Sequence, residues 1–114
     1  MNSRVVSSFL SAFIGLLLVA SGPIAVAADA GAAQSLAKKS GCLTCHSVDK
    51  TKTGPSYKSV AAKYKGDAGA EKKLMTFITT GPKMNVGGSE SEHPIAKSKD
   101  EKELKNLVDW VLAQ

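Results

Sequence analysis

The feature that most limits what this chain can fold into is a pair of cysteines three positions apart with a histidine directly after them. The segment reads Cys42-Leu43-Thr44-Cys45-His46, and the chain has two cysteines in all. A disulfide between Cys42 and Cys45 would close a very small loop and would remove little entropy from the unfolded chain. A structural disulfide is therefore a poor explanation for this pair.

Three kinds of site use cysteines at this spacing. A thioredoxin-like redox pair follows a strand of a βαβ unit, and no Val/Ile-rich strand precedes Cys42. A zinc site needs further ligands at finger-like spacing, and after His46 the chain offers only His93. Covalent haem attachment uses C-x-x-C-H, with two thioether bonds and an imidazole that binds the iron. The sequence favours this third interpretation: one haem c on Cys42 and Cys45, with His46 as its proximal ligand.

The first residues predict export. Residues 1–28 contain a basic start at Arg4, an apolar run over 9–20 and small residues before Asp29, which is the pattern of a cleaved secretory signal. We expect cleavage after Ala27 or Ala28, and a domain of residues 29–114 in the periplasm. The apolar run is too short and too interrupted for a membrane span. Left uncleaved, it would act as an N-terminal anchor.

The net charge and the size of the domain further limit the functions that this chain can have. The domain after residue 28 has fourteen lysines against ten acidic residues, a net charge of +4. This charge is too modest to indicate nucleic-acid binding. A domain of about 86 residues also has difficulty in building a self-sufficient apolar core. We therefore expect a bound group to fill part of the interior.

The apolar residues recur with a helical period, and no segment alternates like a strand. The fold class is therefore predicted to be all-α. Four short helices are expected, over residues 29–40, 54–66, 67–81 and from 98 onward, with a long loop over 83–97. Asp29, Asp67 and Ser98 are the expected N-terminal caps, and Pro55 is expected at the first position of the second helix.

Three segments carry a family resemblance: the motif at 41–46, the stretch 54–64 beginning Gly54-Pro55, and Leu107-Val108-Asp109-Trp110-Val111-Leu112 near the C-terminus. In these, the chain resembles the small monohaem class I cytochromes c of the bacterial c-551/c-552 type. The resemblance implies about four short helices wrapped around one haem. It also implies that Trp110 lies where the first and last helices cross, and that the Pro55 carbonyl accepts a hydrogen bond from His46.

The resemblance is incomplete at the sixth iron ligand. The family supplies a methionine from a Pro-Met-Pro stretch before the last helix, where this chain has Glu92-His93-Pro94. His93 lies 17 residues before Trp110, close to the family's methionine, and Met84 lies 26 residues before it. Position favours His93 as the distal ligand. Met84 and an open site remain alternatives.

The resemblance implies a one-electron carrier and not an enzyme, with redox proteins as partners and a monomeric or small oligomeric state. Two imidazole ligands would give a lower potential than imidazole and thioether, because the thioether favours ferrous iron. The alternatives are an ordinary His/Met carrier, and a haem-based ligand sensor or small haem enzyme with a displaceable sixth ligand. Some lysines are expected to ring the haem edge and steer acidic partners: Lys50, Lys52, Lys58, Lys63 and Lys83.

Overall fold

The computed structural model describes residues 26–114, so most of the predicted signal segment 1–28 lies outside the described residues. Within 26–114 the chain forms four α-helices, a short 3₁₀ helix and one two-stranded sheet. In chain order these are α1 (Ala30–Lys39), the 3₁₀ helix (Cys42–Thr44), α2 (Tyr57–Lys63), α3 (Ala70–Thr80), β1 (Lys83–Val86), β2 (Ser89–Glu92) and α4 (Glu101–Leu112). The mostly helical fold agrees with the prediction. No helix of this part of the chain is long and apolar enough to cross a membrane.

The core forms where α1 packs against α4. Small side chains on α1 allow the close approach, since Ala33 and Ala37 are fully buried. Trp110 on α4 is also buried and lies in the same cluster. The α1 helix begins as predicted, because the Asp29 carboxylate accepts a hydrogen bond from the backbone of Ala32. The remaining members of this cluster are Leu36, Tyr57, Leu104 and Leu107.

The second helix begins later than the sequence suggested. Pro55 was expected at its first position, but α2 begins at Tyr57 and Ser56 is its N-cap. The Ser56 hydroxyl accepts a hydrogen bond from the Ser59 backbone at 3.1 Å. Pro55 precedes this cap, and its carbonyl is used in another contact described below. The prediction was wrong because the Ser56 hydroxyl satisfies a free helix N–H, and the proline side chain has no acceptor with which to do this.

The third helix also begins late. Asp67 was expected to cap it, but its carboxylate accepts a hydrogen bond from Gly69, in a turn that precedes the helix. The α3 helix begins at Ala70, with no side-chain hydrogen bond at its N-cap Gly69. A short Asp side chain favours such a local turn as readily as a helix cap. The helix ends as predicted at Gly81, which has a left-handed backbone with φ of 60°.

The fourth helix shows the same displacement. Ser98 was expected as its cap, but Asp100 is the N-cap and accepts hydrogen bonds from the backbones of Lys102 and Glu103. Ser98 supports this arrangement from outside the helix, since its hydroxyl accepts from the Asp100 backbone and donates to the Glu103 carboxylate. Both residues suit a helix start, and the carboxylate prevails because it satisfies two helix N–H groups.

The predicted loop 83–97 contains a hairpin that sequence reasoning missed. Strands β1 and β2 pair antiparallel, with Met84 opposite Ser91 and Val86 opposite Ser89. The turn between them is Gly87-Gly88, with φ of 58° and 89°, the positive values that two-residue hairpin turns require. The prediction of a loop was wrong here because β2 has the sequence Ser-Glu-Ser-Glu and is exposed along its whole length. It therefore lacks the alternation of apolar and polar residues that indicates a strand. The fold is thus helical with one small sheet.

The position of the α4 cap is testable by comparing Asp100→Ala with Ser98→Ala. The first variant should lower the free energy of unfolding by about 1 kcal/mol, because two helix N–H groups lose their acceptor. The second should cost less than half as much, because those N–H groups keep Asp100. Denaturant titration of the mature protein measures both. Equal losses, or a larger loss for Ser98→Ala, would contradict this assignment.

Candidate functional site

The Cys42–His46 motif is folded into one tight turn directly after α1. Gly41 makes this possible, because its φ of 78° redirects the chain at the end of the helix. The backbones of Cys45 and His46 both donate hydrogen bonds to the Cys42 carbonyl, at 3.2 and 2.9 Å. Both cysteines are unpaired thiols and half-buried. Burial raises the pKa of the Cys42 thiol.

His46 is held from two sides. Its Nδ1 lies 2.7 Å from the Pro55 carbonyl oxygen, which is the contact that the family resemblance implied. Tyr57 stacks against the ring with centroids 5.4 Å apart and planes 20° apart. Gly54 passes so close that a Cβ there would lie 2.7 Å from His46 Cε1. The imidazole is therefore fixed in both position and rotation.

Tyr57 connects this histidine to the helical core. It is buried, and its ring meets Trp110 edge to face at a centroid distance of 5.4 Å. Burial also raises the pKa of Tyr57, so the phenol stays neutral. Trp110 therefore lies at the packing of α1 and α4 as predicted, and it also supports the residue against which His46 stacks.

His93 lies at the base of the hairpin. Its backbone N–H donates to the Pro82 carbonyl at 3.0 Å, which extends the pairing of Lys83 with Glu92 by one step. On the same side, Gly81 approaches so closely that a Cβ there would lie 2.6 Å from the His93 carbonyl oxygen. Burial lowers the pKa of His93, which favours the neutral imidazole that can bind a metal.

The two imidazoles lie close together and make matching hydrogen bonds. Nδ1 of His46 lies 2.7 Å from the Pro55 oxygen, and Nδ1 of His93 lies 2.8 Å from the Pro94 oxygen. A carbonyl oxygen only accepts, so in both rings Nδ1 carries the proton and donates. The lone pair of each neutral ring is therefore on Nε2. The ring centroids lie 6.1 Å apart, with planes tilted by 44°.

Met84, the other candidate ligand, lies farther along the hairpin. It is half-buried on β1 opposite Ser91, two residues from His93 along the second strand. At about 3.4 Å per strand residue, this is a displacement of roughly 7 Å from the base of the hairpin. Alternate strand residues share a face, so Met84 and His93 lie on the same side of the hairpin.

These side chains fit a haem better than a zinc ion. Among residues 26–114, no group of three or more His, Cys, Asp or Glu side chains is arranged to hold a metal ion, which a structural zinc site requires. Two thiols beside an imidazole are the groups that would hold a c-type haem, and a second imidazole lies close to the first. Leu43 and Phe77, exposed by 39 % and 38 %, add apolar surface near these groups.

The lysines proposed to ring the site are mostly paired locally. Lys58 forms an exposed ion pair with Asp49, and Lys83 forms one with Glu90 at 2.7 Å. Lys52 donates a hydrogen bond to the Leu43 carbonyl at 2.6 Å, inside the motif turn. Lys63 lies over the ring of Tyr64 at 5.5 Å, and Lys50 is exposed. The two exposed ion pairs, Lys58 with Asp49 and Lys83 with Glu90, contribute little to stability.

Sequence reasoning missed three contributors to the site. Gly54 was expected to open the second helix, and only the structure reveals that it leaves space for the His46 ring. Pro94 is part of the stretch that replaces the family's Pro-Met-Pro, and the structure reveals that its carbonyl oxygen lies 2.8 Å from Nδ1 of His93. Phe77, on α3, contacts His93 edge to face. These contacts depend on tertiary geometry, so no local sequence signal identifies them.

Comparison with known proteins agrees with the architecture and the motif. The sequence matches the family model for cytochrome c over residues 30–114. Cytochrome c-551 of Allochromatium vinosum is 42 % identical over 87 residues, covering 76 % of this chain and 90 % of that protein. Cytochrome c-551 of Pseudomonas aeruginosa is 42 % identical over 100 residues, covering 87 % and 93 %.

A solved structure is similar over the same region. The class 1 cytochrome MtoD from Sideroxydans lithotrophicus ES-1 superimposes with a TM-score of 0.73 at 48 % identity, covering 76 % of this chain and 97 % of that chain. The chain therefore belongs to the cytochrome c family and has the class I cytochrome fold, and it is an electron-transfer protein and not an enzyme.

Proposed function

We propose that the protein is a periplasmic one-electron carrier with a single haem c, attached through Cys42 and Cys45 and ligated by His46 and His93. The observation that carries this proposal is the short separation of the two imidazoles, whose ring centroids lie 6.1 Å apart. The bound haem would supply one-electron chemistry at its iron. The protein residues supply its attachment, its axial ligands and their orientation.

The imidazole separation suits two ligands on one metal ion. A metal–imidazole bond of about 2.0–2.1 Å, plus about 1.1 Å from nitrogen to ring centre, would put two opposed ring centres about 6.3 Å apart. The measured 6.1 Å is close to this value. The hydrogen bonds at Nδ1 of His46 and His93 leave both Nε2 atoms as the donors. Such contacts at the other ring nitrogen fix the tautomer and raise ligand basicity.

The second imidazole determines the type of carrier. Imidazole is a stronger donor to ferric iron than the soft thioether of methionine, which stabilises ferrous iron. Axial ligand identity is among the main determinants of a haem potential range of about 0.8 V. We therefore expect a lower potential than that of a His/Met relative, and redox partners suited to it.

The way His93 is held favours a carrier over a ligand sensor. A sensor requires a sixth ligand that leaves readily, whereas the His93 backbone is tied to Pro82 by a 3.0 Å hydrogen bond. The adjacent contact with Gly81 restricts the same segment. With His46 and His93 both bound to the iron, small molecules would find no open position on it. We infer that the protein exchanges electrons with redox proteins, docking through contacts that include its lysines.

The choice of distal ligand is tested by His93→Ala and Met84→Ala in the mature ferric protein. We expect wild type to lack the weak long-wavelength band of methionine-ligated ferric haem. His93→Ala should raise the reduction potential and admit carbon monoxide rapidly in the ferrous form, because one axial imidazole is lost. Met84→Ala should leave the spectrum and the potential unchanged. Optical spectra and a redox titration measure these effects.

A methionine band in wild type that Met84→Ala abolishes would reject the proposed ligand set in favour of a His/Met carrier. Because Met84 lies on the same hairpin face as His93, it is a potential replacement when His93 is removed. The double variant His93→Ala/Met84→Ala identifies that case. A methionine band that appears in the single variant and disappears in the double variant still supports His93 as the native ligand.

Haem attachment is tested separately by Cys42→Ser and Cys45→Ser. Each variant should retain one thioether, and the double variant should release all of its haem into acidified organic solvent. Wild type should retain the haem after denaturation, because both bonds are covalent. The mass of the denatured polypeptide measures attachment directly. Haem that remains bound to the denatured double variant would contradict the assignment of these cysteines.

The close packing at Gly54 predicts a selective loss. Gly54→Ala would place a Cβ 2.7 Å from Cε1 and 2.9 Å from Nδ1 of His46, so the imidazole must shift from its position. We expect weaker haem ligation and lower stability, by about 1–3 kcal/mol as for other overpacked sites. Gly31→Ala is the control, because its nearest contact is an ordinary 3.5 Å and alanine favours the helix. Equal effects of the two substitutions would contradict this role of Gly54.

A further inference from the structure

We propose that Phe77 is a positioning residue that fixes the orientation of the His93 imidazole and slows its departure from the iron. This inference rests on the proposed bis-histidine ligation. Phe77 lies on α3, one helical turn before Gly81, and its ring meets His93 edge to face. The ring centroids are 5.6 Å apart and the planes are 84° apart. This is a favoured geometry for two aromatic rings.

The backbone around His93 is fixed by other groups. The N–H of His93 donates to the Pro82 carbonyl at 3.0 Å, and the N–H of Ala96 donates to the Ile78 carbonyl at 2.8 Å. These hydrogen bonds hold the segment on both sides of the histidine without involving the Phe77 side chain. Loss of the Phe77 ring should therefore leave the backbone of His93 in place and free only the imidazole.

Two contacts orient the imidazole itself. One is the hydrogen bond between its Nδ1 and the Pro94 carbonyl, at 2.8 Å. This bond fixes the position of Nδ1, but it still permits the imidazole ring to rotate about the line between Nδ1 and the Pro94 oxygen. Phe77 restricts this rotation, because it packs at nearly a right angle to the imidazole plane. The side chain therefore supplies a restraint that the hydrogen bond alone does not.

Phe77 is not a member of the buried cluster that holds the helices together. Its side chain is 38 % exposed, so its contribution to the core is small. A variant at this position can consequently be tested in a folded protein. Thr76 is a matched control on the same helix, since it is exposed and its hydroxyl bonds to the Lys72 carbonyl.

The experiment compares Phe77→Leu, Phe77→Tyr and Thr76→Ala. The references for an absent distal ligand are His93→Ala and the double variant His93→Ala/Met84→Ala. The measured quantity is the rate at which carbon monoxide binds the ferrous protein, which requires His93 to leave the iron. Phe77→Leu keeps apolar volume but removes the aromatic edge, and we expect about a 2- to 10-fold faster rate. Phe77→Tyr and Thr76→Ala should stay within twofold of wild type.

A second measurement distinguishes a change in the orientation of the His93 imidazole from a general loss of stability. The electron paramagnetic resonance spectrum of the ferric protein depends on the angle between the two axial imidazole planes, which is 44° in this structure. Phe77→Leu should shift or broaden this spectrum while the melting temperature stays near that of wild type. Phe77→Tyr should retain the wild-type spectrum, because its ring keeps the same edge.

The outcomes distinguish the two proposals. If His93→Ala changes neither the spectrum nor carbon monoxide binding, His93 is not the ligand, and both the proposed function and this inference are rejected. If His93→Ala binds carbon monoxide rapidly but Phe77→Leu matches wild type in rate and spectrum, only the role of Phe77 is overturned. Equal acceleration by Thr76→Ala would also overturn it, because the effect would then be general to α3.

Discussion

Tyr57 lies between the ring of His46 and the indole of Trp110, and it couples the candidate site to the packing of α1 against α4. Its backbone is tied to the Ser47 carbonyl at 2.9 Å, so the chain after the motif is drawn back over His46. Its ring stacks on the imidazole and meets Trp110 edge to face. A change in the helix crossing would therefore move His46 as well. The helical core and the ligand geometry are set together.

The two histidines reach comparable surroundings by different local structures. His46 follows a tight turn at the end of α1, and its Nδ1 is directed at Pro55. His93 follows an antiparallel strand, and its Nδ1 is directed at Pro94. A proline carbonyl suits this role because its residue has no N–H and a restricted φ. In the proposed carrier, both ligands would thus enter with the tautomer already fixed by hydrogen bonding.

Sequence reasoning identified what is local or periodic and missed what depends on geometry. The helices were predicted because residues such as Leu36 and Leu107 recur at helical spacing, and the motif identified the haem class. The caps of α2, α3 and α4 were each misplaced by two residues, because Ser and Asp compete for helix starts and turns. The hairpin was missed because Ser89–Glu92 has no apolar face. Sequence spacing left both His93 and Met84 possible as the distal ligand. Only the register of the two strands shows that they lie at different positions along the hairpin.

The hairpin also changes how the proposed distal ligand, His93, should be understood. As part of a long loop, His93 would pay an entropic cost each time its segment became ordered. At the base of a hairpin, its backbone hydrogen bond to Pro82 is already formed, and Gly81 packs against its carbonyl. A ligand held in this way needs little rearrangement when the iron changes charge. Fast electron transfer requires little movement around the metal, so the stiffness at the base of the hairpin is itself an argument for a carrier.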